Sequence, residues 1–316
     1  MSGFLSPKFL FLLLLAFFLV CVGQVKTLQA EEPDLFTPNN PGAAGDLTPV
    51  VKIFPNSIDI GGTGRVLLNG LTLEDNPRGS FDGRPIFFFE TKKGLIGIFG
   101  VDIMLKPGNY PLTLTYEREG SAQKMVTQVG VKTKDYGTRS ITVPENQVSL
   151  SPEDQKRAAE EKVLTDAALA TVSPIRLWRG EFLSPVDAGV SSSFGRKTRI
   201  NGVLNPRPHA GTDFRANVGE PVRAPANGRV ILVGDHFFAG KSIYIDHGQG
   251  LISMYFHLSD ISVTNGQEIF KGDTPIGKVG KSGRVSGAHL HYGVYLNGAR
   301  IDPIAFKKMT QDIEEN

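Results

Sequence analysis

Cysteine is all but missing from this chain: Cys21 is the only one in 316 residues. No disulfide can form within the chain, so its folded parts must hold by packing alone. Excess charge of either sign is missing too. Lys and Arg number 34 against 32 Asp and Glu, and removing residues 1–30 takes away Lys8 and Lys26 but no acid, leaving 32 against 32. A neutral chain gains nothing from neutralising phosphates, so nucleic acid is not an expected partner. Neither an internal repeat, a βαβ alternation nor a glycine-rich phosphate loop leading into a helix is visible, which leaves nucleotide-binding α/β folds without support.

An apolar run long enough to span a bilayer is also wanting. The stretch "FLFLLLLAFFLVCV", Phe9 to Val22, has 14 residues where a spanning helix needs about 20. With Lys8 before it and the small residue Ala30 after it, the pattern predicts a secretory signal over residues 1–30 and export of the remainder. A membrane anchor is expected only if this segment is retained. Cys21 follows Val20 rather than a small residue, so it reads as part of the discarded signal and not as a lipid attachment site.

Past the signal, "EEPDLFTPNNPGAAGDLT" is rich in Pro, Gly, Asn and Asp and lacks periodicity, which predicts an exposed tether over residues 31–48. Residues 49–145 alternate short apolar strands with turn clusters. Leu112, Leu114 and Tyr116 alternate with Thr113 and Thr115 in the period of two that half-buried strands require, and the spacing predicts a β-sandwich. Over residues 150–172 a single helix is expected, starting at Ser151 as N-cap with Pro152, Glu153 and Asp154 in the first turn and acting as a spacer. Residues 173–310 return to short strands and glycine turns, with "IYIDHGQGLISMYF" as the clearest hairpin. The predicted fold class is therefore all-β, two units joined by a linker helix.

All six histidines fall between His209 and His291, which localises any chemistry to the last third of the chain. In "HLH", His289 and His291 point from one face of a strand, with Leu290 turned the other way. Both can ligate one ion, or one can ligate while the other meets a substrate. His209 and Asp213 in "RPHAGTDF" are either a second half of such a site or an ordinary turn in which Asp213 caps a backbone amide. Pro208 and Gly211, with a fixed φ and no side chain, suit a segment that must present both residues to one point. His257, at the end of the strand "MYFHL", is a further imidazole suited to general acid or base work. His236 and His247 are expected to be structural.

The ordered set "SSSFG", "HAGTDF", "GEPVRAPANGRV", "IDHGQGLISMYFHL", "KGDTPIGKVGKSGRVSGAHLHYGV" and "DPIAF" resembles the LytM/lysostaphin-type zinc metallopeptidases, peptidoglycan endopeptidases with a compact all-β fold. The likeness covers roughly Ser191 to Phe306, and the segment before it is similar, less specifically, to the β-sandwich modules of some exported members. The resemblance implies one Zn²⁺ per chain on His209, Asp213 and His291, with His257 and His289 as catalytic histidines. It implies peptidoglycan stem peptides as substrate, a monomeric protein in the periplasm or cell envelope, and a D,D-crosslink as the expected bond, with a glycine bridge or carboxypeptidase trimming as the other possibilities. A non-catalytic relative that activates a cell-wall amidase is the alternative, and a phosphocarrier module a third reading. The sequence departs from the family pattern in three places: no tyrosine in "TRINGVLNPRPH" before His209, Ala288 in place of proline, and Gly293 where a carboxylate elsewhere orients a neighbouring histidine. A sandwich module on a stiff helix is also expected to cover part of the substrate groove.

Overall fold

A computed structural model of the chain describes residues 49–142, 150–273 and 275–313. The expected export signal (1–30) and tether (31–48) lie outside the described residues. Among the described residues the fold is mostly β, with two α-helices, Pro152–Leu169 and Pro303–Gln311. No helix among the described residues is long and apolar enough to cross a membrane.

Two sheets face each other in the N-terminal unit. One runs Val50–Phe54, Thr63–Asn69, Gly94–Gly100, Phe88–Thr91, all antiparallel. The other runs Ser57–Asp59, Ser121–Lys132, Gly108–Arg118, Arg78–Phe81, Arg84–Ile86. The period of two is realised: Leu112, Leu114 and Tyr116 turn into the core, packed with Val66, Leu68, Phe81, Phe99 and Val129, while Thr113 and Thr115 are only half-buried. The strand Gly94–Gly100 breaks the alternation because it is buried on both faces. Leu95 and Phe99 belong to the sandwich core, and Ile96 and Ile98 to the core of the C-terminal unit. A Cβ added at Gly100 would lie 2.8 Å from Ile301 and 2.9 Å from Ala299, so the two units touch at backbone distance.

The C-terminal sheet is antiparallel along its main path: Val190–Ser192, Thr212–Phe214, Leu290–Leu296, Leu251–Ile261, Gly240–Asp246, Gly228–His236, Glu268–Ile269. The long strand Leu251–Ile261 lies in the middle and supplies Tyr255 and Leu258, both inaccessible to solvent. Trp178 sits where the two units meet, edge-on to Phe89 from the sandwich side and to Phe182 and Phe306 from the other. Asp102 locks the junction. Its carboxylate accepts from Arg300 Nε at 2.9 Å, Nη2 at 2.7 Å and the Arg300 backbone N–H at 2.9 Å. Burial pushes this carboxyl's pKa up, but the hydrogen bonds and charge of Arg300 outweigh it and hold the group below the usual range.

The helix Pro152–Leu169 is capped as the sequence predicts, with the Ser151 hydroxyl accepting from the Asp154 N–H. It does more than space two units. Arg157 donates to the Asp235 carbonyl at 2.9 Å, the Phe237 N–H donates to Glu161 at 2.7 Å, and Leu169 packs beside Tyr244 and Met254. The polar side chains of this expected spacer are thus partly spent on the hairpin loop at 235–237. One further strand, Thr138–Ile141, leaves the sandwich and pairs in parallel with Lys197–Ile200 of the C-terminal unit.

Candidate metal centre

Strand register assembles the site. Asp213, on Thr212–Phe214, stands directly opposite His291 on Leu290–Leu296, and His291 stands opposite Phe256 on Leu251–Ile261. His209 lies four residues before Asp213, held by its backbone N–H to Arg196 and its carbonyl to the Gly195 N–H. Gly211 is needed between them: a Cβ there would lie 2.6 Å from His291 Nε2 and 2.6 Å from the Tyr292 carbonyl oxygen.

Three donor atoms converge. His209 Nε2 is 3.0 Å from His291 Nδ1 and 3.0 Å from Asp213 Oδ1, and His291 Nδ1 is 2.9 Å from the same oxygen. An ion bound tetrahedrally at about 2.0–2.1 Å separates its ligands by about 3.3 Å, so this small triangle matches one face of such a site. The donor set is also the right kind, two imidazoles and a carboxylate, the number of protein ligands at which a tetrahedral ion keeps one position for water or substrate. Burial pushes the Asp213 carboxyl up, but hydrogen bonds and charge from His209 and His291 overcome this and keep it ionised far below the usual range. Burial holds the His291 imidazole down against the opposing pull of Asp213, favouring the neutral form that ligates.

Outer contacts fix each ring. A carbonyl can only accept, so His209 Nδ1, 3.0 Å from the Ser193 carbonyl oxygen, carries the proton and leaves Nε2 for the ion. His291 is stacked on Phe256 with ring centres 5.1 Å apart and planes 8° from parallel. The missing carboxylate at 293 also has a local reason: a Cβ on Gly293 would come 2.4 Å from the Met254 methyl, which fills that space. Packing on Phe256 therefore orients His291.

The other two predicted histidines border the triangle. His257 Nδ1 donates to the Ser282 carbonyl at 3.0 Å and His289 Nδ1 to the Gly287 carbonyl at 2.9 Å, so each presents an Nε2 lone pair. Their ring centres are 4.8 Å apart, and His289 Nε2 is 3.8 Å from Asp213 Oδ1. His257 adopts a left-handed backbone, φ 66°, where strand pairing shifts register on both sides of it. For a non-glycine residue that conformation is strained, and it aims the ring at the site from a strand that would otherwise carry it away. Burial, then the nearby His291 and His289, lower its pKa to about 4, so the ring is neutral at pH 7.

His236 and His247 stand outside the cluster. His247 is fully buried, donating from Nδ1 to the Asn227 carbonyl and meeting the Ser253 hydroxyl through Nε2, both at 2.7 Å. His236 meets Ser242 at 2.7 Å. The sequence reading did not identify Phe256 or the carbonyls of Ser193, Ser282 and Gly287 as supports. All four lie inside stretches that carry the family resemblance, but a packing ring and backbone carbonyls leave no residue-type signal of their own.

Comparison with known proteins agrees with this geometry. The model of peptidase family M23 matches residues 207–303. A solved structure of a candidate M23 peptidase from Pseudomonas aeruginosa is 36% identical, covering 73% of this chain and 87% of that one with a TM-score of 0.58. Peptidoglycan DD-endopeptidase ShyA of Vibrio cholerae is 37% identical over 120 residues, 37% of this chain and 28% of its own length. DD-carboxypeptidase/endopeptidase Mpg of Neisseria meningitidis is 35% identical over 127 residues, 40% of this chain and 29% of its own. This chain thus spans less than a third of these two relatives.

Proposed function

Since the chain belongs to peptidase family M23, we infer that it is an exported zinc endopeptidase cutting peptide crosslinks of bacterial peptidoglycan. The observation that carries the reading is the convergence of His209, Asp213 and His291 within one 3 Å triangle, bordered by two further imidazoles with free Nε2 atoms. The similarity to proteins named as DD-endopeptidase and DD-carboxypeptidase/endopeptidase supports the substrate class and favours the D,D-crosslink.

One zinc ion per chain on that triangle would supply a Lewis acid that polarises the scissile carbonyl and makes water acidic enough to lose a proton near neutral pH. His257 is placed to take that proton at Nε2, because its Nδ1–H is committed to Ser282 and its ring is neutral. His289, steadied by Gly287, is placed to steady the developing oxyanion or to protonate the leaving amine. With no tyrosine in the segment before His209, these steps fall to the histidines alone or to another group of the chain.

The organisation assigned with this reading is an export signal over 1–30, a tether over 31–48, a sandwich unit over 49–145, a joining helix over 150–172 and the metallopeptidase unit over 173–310. The mature protein then works as a monomer in the periplasm or cell envelope. The test is mass spectrometry of purified peptidoglycan digested with and without a chelator. Crosslinked fragments should vanish only without it. His291→Ala should lose both metal and cleavage, whereas His257→Ala should keep about one metal per chain and lose turnover by about 10²–10⁴-fold. A zinc-loaded protein that leaves the fragment profile unchanged would overturn the enzymatic reading in favour of an amidase activator.

A further inference from the structure

A cleft of about 440 Å³ opens beside the metal centre and shares His209 with it. Its walls include Arg139, Thr198, Arg207, Tyr295 and Arg300, and no acidic side chain is among the lining residues. Arg300 is already compensated, its guanidinium being held by Asp102 through two hydrogen bonds. Arg139 and Arg207 differ. Both are exposed, and among the described residues neither has a carboxylate partner. Among the described residues, the concave surface next to the candidate metal centre therefore carries two positive charges without a carboxylate partner, in a chain whose overall charge is close to zero.

The two arginines arrive from different parts of the fold. Arg207 lies two residues before His209 on the segment that delivers the first metal-ligand candidate. Arg139 comes from the strand that leaves the N-terminal unit, where it pairs in register with Thr198 and donates from Nε to the Thr198 hydroxyl at 3.2 Å. That bond fixes the side chain across the cleft wall and leaves its terminal nitrogens for a ligand. Tyr295 completes the surface. Burial raises its pKa while the charges of Arg300 and Arg207 pull it down, so its hydroxyl is protonated and within electrostatic reach of both guanidiniums.

We propose that this cleft binds a free carboxylate of the peptide substrate, with Arg139 and Arg207 as specificity-determining residues and the N-terminal unit supplying one side of the subsite. Guanidinium is the side chain best matched to a carboxylate, planar and able to donate two parallel hydrogen bonds, and a concave site focuses the field of the pair. The inference rests on the peptidase reading above.

The test uses the full, zinc-loaded chain and two matched crosslinked peptides, one with free carboxylates and one with those groups amidated. The unmodified protein should prefer the acidic peptide by about tenfold or more in kcat/KM, chiefly through KM. Arg139→Gln and Arg207→Gln should each lower kcat/KM for the acidic peptide by about five- to tenfold and leave the amidated one unchanged, and Arg207→Lys should restore part of the loss. Equal cleavage of both peptides by the unmodified chain, or variants that slow both alike, would overturn the proposal. If neither peptide is cut, the peptidase reading fails instead, and calorimetric titration of the same two peptides still decides whether the cleft selects the carboxylate.

Discussion

His247 offers a test of the buried polar core that is independent of the metal centre. The imidazole is sealed from solvent, donates to the Asn227 carbonyl, meets the Ser253 hydroxyl and lies edge-on to Phe182. Burial lowers its pKa from near 6.5 to about 4, outweighing the opposing pull of the Asn227 carbonyl and Asp246. Above pH 6.5 the ring is neutral in folded and unfolded chains alike and has no effect on the balance. As pH falls from 6.5 to 4 the unfolded chain takes up a proton that the folded chain refuses, so stability is lost through that window and the loss levels off below it. At about 1.4 kcal/mol per pH unit the full loss from this one group is about 3 kcal/mol. Trp178 is the only tryptophan, is buried, and packs edge-on to Phe182, the ring that covers His247. Its fluorescence during urea unfolding therefore reports on the right neighbourhood. Unfolding free energies measured from pH 7.5 to 4 in a chelating buffer should fall less steeply for His247→Gln than for the unmodified chain, the difference approaching 3 kcal/mol. Parallel curves would show that His247 titrates normally and that the burial argument is wrong.

Two further outcomes follow from packing. Gly211→Ala pushes a methyl group into His291 Nε2 and the Tyr292 carbonyl, so zinc affinity measured by competition with a chelator should drop by about tenfold or more, as expected when ligand orientation is disturbed, and an unchanged affinity would refute the close approach. Asp102→Ala strands the Arg300 guanidinium at the junction of the two units, and the unfolding midpoint followed by Trp178 fluorescence should shift by an amount equivalent to about 3 kcal/mol. A shift below about 1 kcal/mol would class the pair with ordinary surface salt bridges.

Much of the candidate site was legible because its signals are local. The "HLH" stretch fixes two imidazoles on one strand, and "RPHAGTDF" supplies His209 and Asp213 on one turn. What joins them is the opposition of Asp213 to His291, a pairing across 78 residues that local periodicity does not encode and that only the resemblance suggested. The left-handed backbone of His257 was hidden for a related reason. "MYFHL" has the composition of an ordinary strand, and the irregularity arises from two neighbouring strands that shift register beside it. The strand Thr138–Ile141 escaped notice because "TRSI" is exposed throughout and pairs with a segment 59 residues later. The capped start of the helix was plain in "SPED", whereas its docking depends on Asp235 and Phe237, far along the chain.

The strand Gly94–Gly100 has a consequence for how the molecule comes apart. With the sandwich core on one side and the core of the C-terminal unit on the other, it has no bare face along which a hinge could open. Exposing Ile96 and Ile98 by separating the two units would put a wide apolar surface into water at the same moment that Asp102 and Arg300 were parted. Cooperativity is thus built into a single shared layer, and the two units should unfold together rather than one after the other.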